Sequence, residues 1–166
     1  NLFGLGGSSL ISRCLGTSDQ EKARHCASFC IWTGAAVALL DGIAVVLLES
    51  VLFPILGASA DTWVYCRQYA FWTIGVGAVP TVMNAELAHL IRAEGYSKSV
   101  GFGVAFGGVL NIILDPIFIF VFRLNIEGAA IATMLSNLIA MGYFLGFLYH
   151  IRKNTVITPN PKAFST

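Results

Sequence analysis

Charge is what this chain lacks most. Only 11% of its 166 residues are Asp, Glu, Lys or Arg, while 56% are hydrophobic. A soluble domain carries about 25% charged residues, so an ordinary soluble fold is excluded. The net charge of +1 gives no nucleic-acid signal, and the basic residues sit in short clusters between apolar runs. The four cysteines, Cys14, Cys26, Cys30 and Cys66, form no CxxC and have no histidine at metal-ligand spacing. Cys26 and Cys30 are helix neighbours, and small apolar packing rather than metal binding is expected of them. There is no N-x-S/T sequon, no initiator methionine and no signal peptide. The chain opens inside an apolar segment and reads as a fragment. HExxH and GxSxG are missing, and no His/Asp pair lies within an apolar run, so no enzyme is expected.

What is there is a series of apolar runs, most of them near the 20 or so residues that cross a bilayer as a helix. The expected fold class is an all-α polytopic membrane protein. Residues 1–15 read as the cytoplasmic end of a helix whose beginning is missing. Gly4, Gly6 and Gly7 suit a small-residue helix face, since no strand precedes them as a dinucleotide loop would need. Gly16 stands in the terminating position after Arg13, and Ser18 or Asp19 can cap the next helix. The second span, 26–48, holds a Gly34/Ala38 small pair. Its Asp41 either lines a pathway or serves an outer cleft or a helix contact. Pro54 and Gly57 then break the chain before a loop at 58–61.

The third span, 63–91, begins with Trp63, Tyr65, Tyr69 and Trp72, an interfacial aromatic group beside which Arg67 can snorkel. Gly75, Gly77 and Pro80 loosen its middle, as a hinge or as a static kink. Glu86 and His89 come near its cytoplasmic end and are expected as solvated interface residues rather than a proton relay. The fifth span, 128–151, starts with Gly128, Ala129, Ala130 and Ala132, which permit close approach, and carries a Gly142/Gly146 GxxxG pair. The tail, 152–166, is basic and polar.

The fourth span, 99–122, is the unusual one. Its Gly103/Gly107 pair is suited to close packing. Beyond it, VLNIILDPIFIFVF is almost wholly apolar but carries Asn111, Asp115 and Pro116. An ionised carboxylate at mid-bilayer costs roughly 2.5–3.5 kcal/mol on the insertion scale. Asn111 and Asp115 share one helical face. Pro116 has no N–H to offer the Ile112 carbonyl. A carboxylate, an amide oxygen and a freed carbonyl together can hold a proton or a small hard cation. The alternative is that Asp115 bonds a neighbouring helix and Pro116 bends its own. Thr133 lies one to two turns into the next helix, where its hydroxyl either faces span four or bonds its own helix.

Orientation follows from the basic residues. Arg13, Lys22, Arg24, Arg92, Lys98, Arg152, Lys153 and Lys162 fall in loops on one side, leaving Arg67 and Arg123 of the ten on the other. By the positive-inside rule the richer side is cytoplasmic.

NIILDPIF (111–118) followed by EGAAIAT (127–133) resembles the fifth and sixth helices of the multidrug and toxic compound extrusion (MATE) family. LISRCLG (10–16) and LIRAEG (90–95) fit the same family in the same order. The resemblance covers nearly the whole chain. It implies a partial six-helix lobe of a MATE-type transporter, in the multidrug/oligosaccharidyl-lipid/polysaccharide flippase superfamily. Residues 1–151 would be part of the N-terminal lobe: the end of helix two at 1–15, then helices three to six at 26–48, 63–91, 99–122 and 128–151. Residues 152–166 would begin the cytoplasmic inter-lobe linker.

Family members are cell-membrane antiporters that expel organic, often cationic, compounds in exchange for Na+ or H+. The resemblance places Asp115, Asn111 and Thr133 in the cation site and links the bend at Pro116 to substrate release. It implies no cofactor beyond the coupling ion. The partners it implies are the bilayer, the organic substrates, a helix one with a further carboxylate, and a second lobe. The fragment alone is then not expected to transport. Two alternatives remain: a lipid-linked oligosaccharide flippase of the same superfamily, and a small membrane scaffold with no transport role.

Overall fold

The computed structural model describes residues 2–59 and 61–157. Ala60 of the first outer loop, and the linker from residue 158 onward with Pro159, Pro161 and Lys162, lie outside the described residues. Six α-helices follow one another: α1 (Leu2–Gly16), α2 (Gln20–Ile55), α3 (Trp63–Ala70), α4 (Ala78–Ala93), α5 (Ser97–Pro116) and α6 (Asn125–His150). Two π-helical stretches, Phe71–Val76 and Ile117–Val121, extend α3 and α5. α2, α6 and α5 with its π-helical extension are each long and apolar enough to cross a membrane, and α3 with α4 makes a fourth such span if the bent pair is one.

Local chemistry explains most of the boundaries. The α1–α2 reversal turns on Ser18, at φ 60°, rather than on Gly16, which stays helical. Asp19 caps α2 by accepting the Lys22 N–H at 3.1 Å. α2 outruns its apolar stretch at both ends and reaches 36 residues, roughly 54 Å at the helical rise. Pro54 does not end it. In the last turn a proline forfeits only one ladder bond, and the reversal waits for Gly57 at φ 90°. Gly95, at φ 92°, ends α4 as the position after Arg92 demands.

The third span is bent by 51° between Val76 and Ala78. Two features put the bend there. Pro80 cannot donate back into the preceding turn. The wide π turns also crowd carbonyls against Gly77, where a methyl group would lie 2.6 Å from the Thr73 oxygen and 2.7 Å from that of Trp72.

α4 and α6 are the central struts. α1 and α2 pack on one side of α4, α6 packs against its other side, and α5 lies at the edge against α6. The main core is on the basic side. Ile11, Ala27, Cys30, Leu87, Leu90, Ile91, Val100 and Phe144 meet there, joined by Val156 and Ile157 from beyond α6. Cys14 and Cys30 pack in this core as free thiols.

Glu94, between α4 and α5, accepts the Thr155 hydroxyl at 2.6 Å and the Val156 N–H at 2.7 Å. Leu15, Arg24, Glu94 and Lys153 line one cleft, so the loop ends at α1–α2, α4–α5 and after α6 share one face. At the opposite end Arg67 pairs with Glu49 at 2.9 Å, and the Trp72 indole donates to Glu127 at 2.8 Å.

Two further expectations are corrected. Gly142 and Gly146 approach nothing among the described residues, because α6 turns Ser136, Ala140 and Tyr143 toward α5 instead. Glu86 is not a solvated interface residue: it is 3% exposed, enclosed where α1 and α2 meet α4.

Candidate functional site

Every fourth residue of α5 builds the seam with α6: Ser99, Gly103, Gly107, Asn111 and Asp115. This is the i±4 ridge by which helices commonly pack. At its start the Tyr143 hydroxyl donates to the Ser99 carbonyl at 3.3 Å. A methyl group on Gly103 would lie 2.7 Å from the Tyr143 ring, and one on Gly107 would lie 3.1 Å from Ala140 Cβ. The glycines therefore let α5 approach closely, and the same ridge then presents Asn111 and Asp115 to α6.

The Asn111 amide is the link. Its Nδ2 lies 3.5 Å from Asp115 Oδ1 on its own helix and 3.4 Å from Thr133 Oγ1 across the seam. Both lengths are at the long limit for a hydrogen bond, so the cluster is gathered but not clenched. Asp115 makes no ion pair among the described residues. All three side chains are half-buried.

Their single carboxylate balances one positive charge, so a proton or monovalent cation suits the cluster better than a divalent ion. Its oxygens are the hard donors that such cations take. No group of three or more His, Cys, Asp or Glu gathers to hold a metal among the described residues. Eighteen residues separate Ser97 from Asp115, roughly 27 Å at the helical rise, so the cluster is in the half of the span remote from the basic face rather than at its middle.

Pro116 adjoins Asp115 as the last residue of α5. The chain beyond it closes wider turns, with Phe122 N–H bonded to the Ile117 carbonyl at 3.1 Å. α6 starts directly against this stretch, and a methyl group on Gly128 would collide with the Phe118 carbonyl at 2.9 Å. Pro80 is buried at the bend of the third span, away from the cluster's hydrogen bonds. Asp41 is exposed on α2 and takes no part in them.

Sequence reasoning missed an inner continuation of the cluster. One turn past Thr133, Asn137 accepts from Asn84 at 2.9 Å and donates to Thr81 at 3.2 Å. Asn84 Oδ1 is buried without a hydrogen-bond partner. A polar track thus crosses from α5 through α6 to α4. The signal was available: Thr81/Asn84 and Thr133/Asn137 are polar pairs at helical spacing inside apolar runs.

The comparisons with known proteins identify the family and the fold. The MatE family profile matches residues 1–117. The multidrug export protein MepA of Staphylococcus aureus is 34% identical over 162 residues, 98% of this chain and 35% of its own length. MepA of Staphylococcus saprophyticus is 34% identical over 158 residues, 95% of this chain and 34% of its own. Among solved structures, an inward-facing multidrug resistance MATE transporter of the MOP superfamily superposes with a TM-score of 0.90. It is 28% identical and covers 99% of this chain and 37% of its own. An outward-facing MATE transporter gives 0.88 at 27% identity, over 99% and 36% of the two chains. The chain spans about a third of the length of these relatives. It belongs to the MATE family, and its fold is that of the family's N-terminal lobe.

Proposed function

We propose that this chain is part of a cation-coupled antiporter that exports drugs or other organic compounds across the cell membrane, with Asp115, Asn111 and Thr133 forming the coupling site for Na+ or H+. The single observation that carries this reading is the Asn111 amide lying between Asp115 and Thr133 across the α5–α6 seam. The names of the similar proteins, multidrug export protein and multidrug resistance transporter, support the substrate class.

The residues account for coupling in a simple way. A proton or cation neutralises Asp115 and engages oxygens of both helices, so it favours the packing in which α5 and α6 are close. Its departure leaves a charge in an apolar setting, and that packing loses its advantage. A ligand moves a conformational equilibrium only through such a difference in affinity. Pro116 and the π-helical turns after it depart from regular α-helical bonding, while the glycine seam before it is closely packed against α6. Transport itself also needs the helix one and second lobe that the family resemblance implies.

The flippase alternative calls for basic side chains at membrane depth. Every described Lys and Arg instead lies in a loop or within about two turns of a helix end, which favours the drug exporter.

The test uses the intact protein in vesicles, with efflux of an organic cation driven by a Na+ or a proton gradient. Efflux driven by one gradient and lost in Asp115→Asn, with membrane insertion intact, is the expected result. Undiminished coupled efflux in Asp115→Asn would remove Asp115 from the site.

A further inference from the structure

Glu86 is the one described acid that is fully enclosed, and the coupling site does not use it. It is 3% exposed, and its Oε1 has no hydrogen-bond partner. The carboxyl rests directly on the backbone of Gly34 in α2, where a methyl group would collide with Oε2 and lie 2.9 Å from Oε1. Gly4 of α1 packs against the same turn of α4, its missing side chain leaving room for the Glu86 backbone and the His89 ring. Gly34 thus seats the carboxyl, and Gly4 lets α1 approach the backbone that carries it.

No described lysine or arginine forms an ion pair with Glu86. The titratable groups around it are His89 on its own helix and the thiols of Cys30 and Cys26 on α2. Cys14 of α1 stands next to those thiols. An ionised carboxylate enclosed with neither a countercharge nor donors for both oxygens is far costlier than the neutral acid.

Glu86 also stands apart from Asp115. It is six residues from Arg92, roughly 9 Å inside the cytoplasmic end of α4, while Asp115 is in the half of its span remote from the basic face. We propose that Glu86 is a second proton-binding site of this lobe, a neutral carboxylic acid seated against Gly34 between α1, α2 and α4. When the proton leaves, the O–H bonding pair stays on the carboxylate and the proton passes to water at the cytoplasmic face. The charge left behind opposes the close α2–α4 contact, so the inner packing of the lobe responds to cytoplasmic proton activity. This inference does not depend on the coupling role of Asp115.

Infrared spectroscopy of the intact protein in lipid vesicles at neutral pH is the test. The carboxylic acid C=O band should contain a component that is lost in Glu86→Gln and kept in Asp115→Asn. No difference between the wild type and Glu86→Gln would overturn the proposal. If Glu86→Gln fails to accumulate in the membrane, Glu86→Asp carries the same test, because a shorter acid leaves the Gly34 seat and its band must move. An unmoved band there overturns it equally. A second measurement reads the seat. Gly34→Ala should lower the unfolding temperature, and Glu86→Ala in that background should recover most of the loss. An equal loss with or without Glu86 would show that Gly34 does not seat the acid.

Discussion

Asp115 and Glu86 are both acids inside apolar helices, yet their surroundings are opposite. Asp115 is half-buried at the edge of the bundle, accepting from the Asn111 amide at 3.5 Å, which in turn reaches the Thr133 hydroxyl of the next helix at 3.4 Å. Glu86 is sealed between three helices with one oxygen unpartnered. The first arrangement is loosely gathered, because the polar groups meet at long hydrogen-bond distances and the side chains stay half-exposed. The second can change charge only by disturbing the packing around it. Depth and chemical type alone do not separate these two acids; the neighbours do. The same contrast applies to their glycines. Gly103 and Gly107 let two helices meet so that polar groups reach across, while Gly34 makes room for the acid itself.

The sharpest way to break the comparison is to neutralise each acid in turn in the intact protein. Asp115→Asn should reduce coupled efflux to background. Glu86→Gln should keep most of it at neutral pH, because it imitates the neutral acid. Efflux of a fluorescent organic cation from cells with matched membrane levels reads both, and an equal collapse in the two variants would erase the distinction.

Crowding the two seams comes next. Gly103→Ala and Gly34→Ala should each cost about 1–3 kcal/mol of stability, the usual range for overpacking. Only the first should also weaken cation affinity, since it pushes Asn111 away from Thr133. Thermal unfolding at several cation concentrations distinguishes them, and the ligand-dependent rise in unfolding temperature should shrink for Gly103→Ala alone.

Thr133→Val tests the hydroxyl with little change of shape. Losing one hydrogen-bond partner of Asn111 costs about 1 kcal/mol, roughly fivefold in cation affinity, and Thr133→Ser should restore it. Cation titration of the purified protein reads this, and an unchanged affinity would remove Thr133 from the site. The smallest effect belongs to Gly142→Ala and Gly146→Ala. Neither position approaches a described neighbour, so stability should stay within about 0.5 kcal/mol in the same unfolding assay.

Much of the Asn111–Asp115–Thr133 cluster's geometry was legible in advance. Asn111 and Asp115 announce themselves as polar residues four apart in an apolar run, and the short turn before α6 already made Thr133 a neighbour. Other parts were misread for identifiable reasons. Gly142/Gly146 has the same spacing as Gly103/Gly107, but spacing does not say which side of a helix meets a partner. Pro54 looked like a break, yet near a helix end a proline loses little.

The sequence by itself determined that this is a helical membrane chain of the MATE type, which of its ends share the basic face, and which acid, amide and hydroxyl can gather across two neighbouring helices. Those properties depend on composition, on helical period and on motifs that are local along the chain. The tertiary structure alone decided that Glu86 is enclosed, that Gly34 seats it, that Asn84 and Asn137 extend the polar track, and that the third span bends by 51° at Gly77. Each of these depends on which helix faces meet across tens of residues. Burial and partnership belong to that meeting of surfaces rather than to any single stretch of chain.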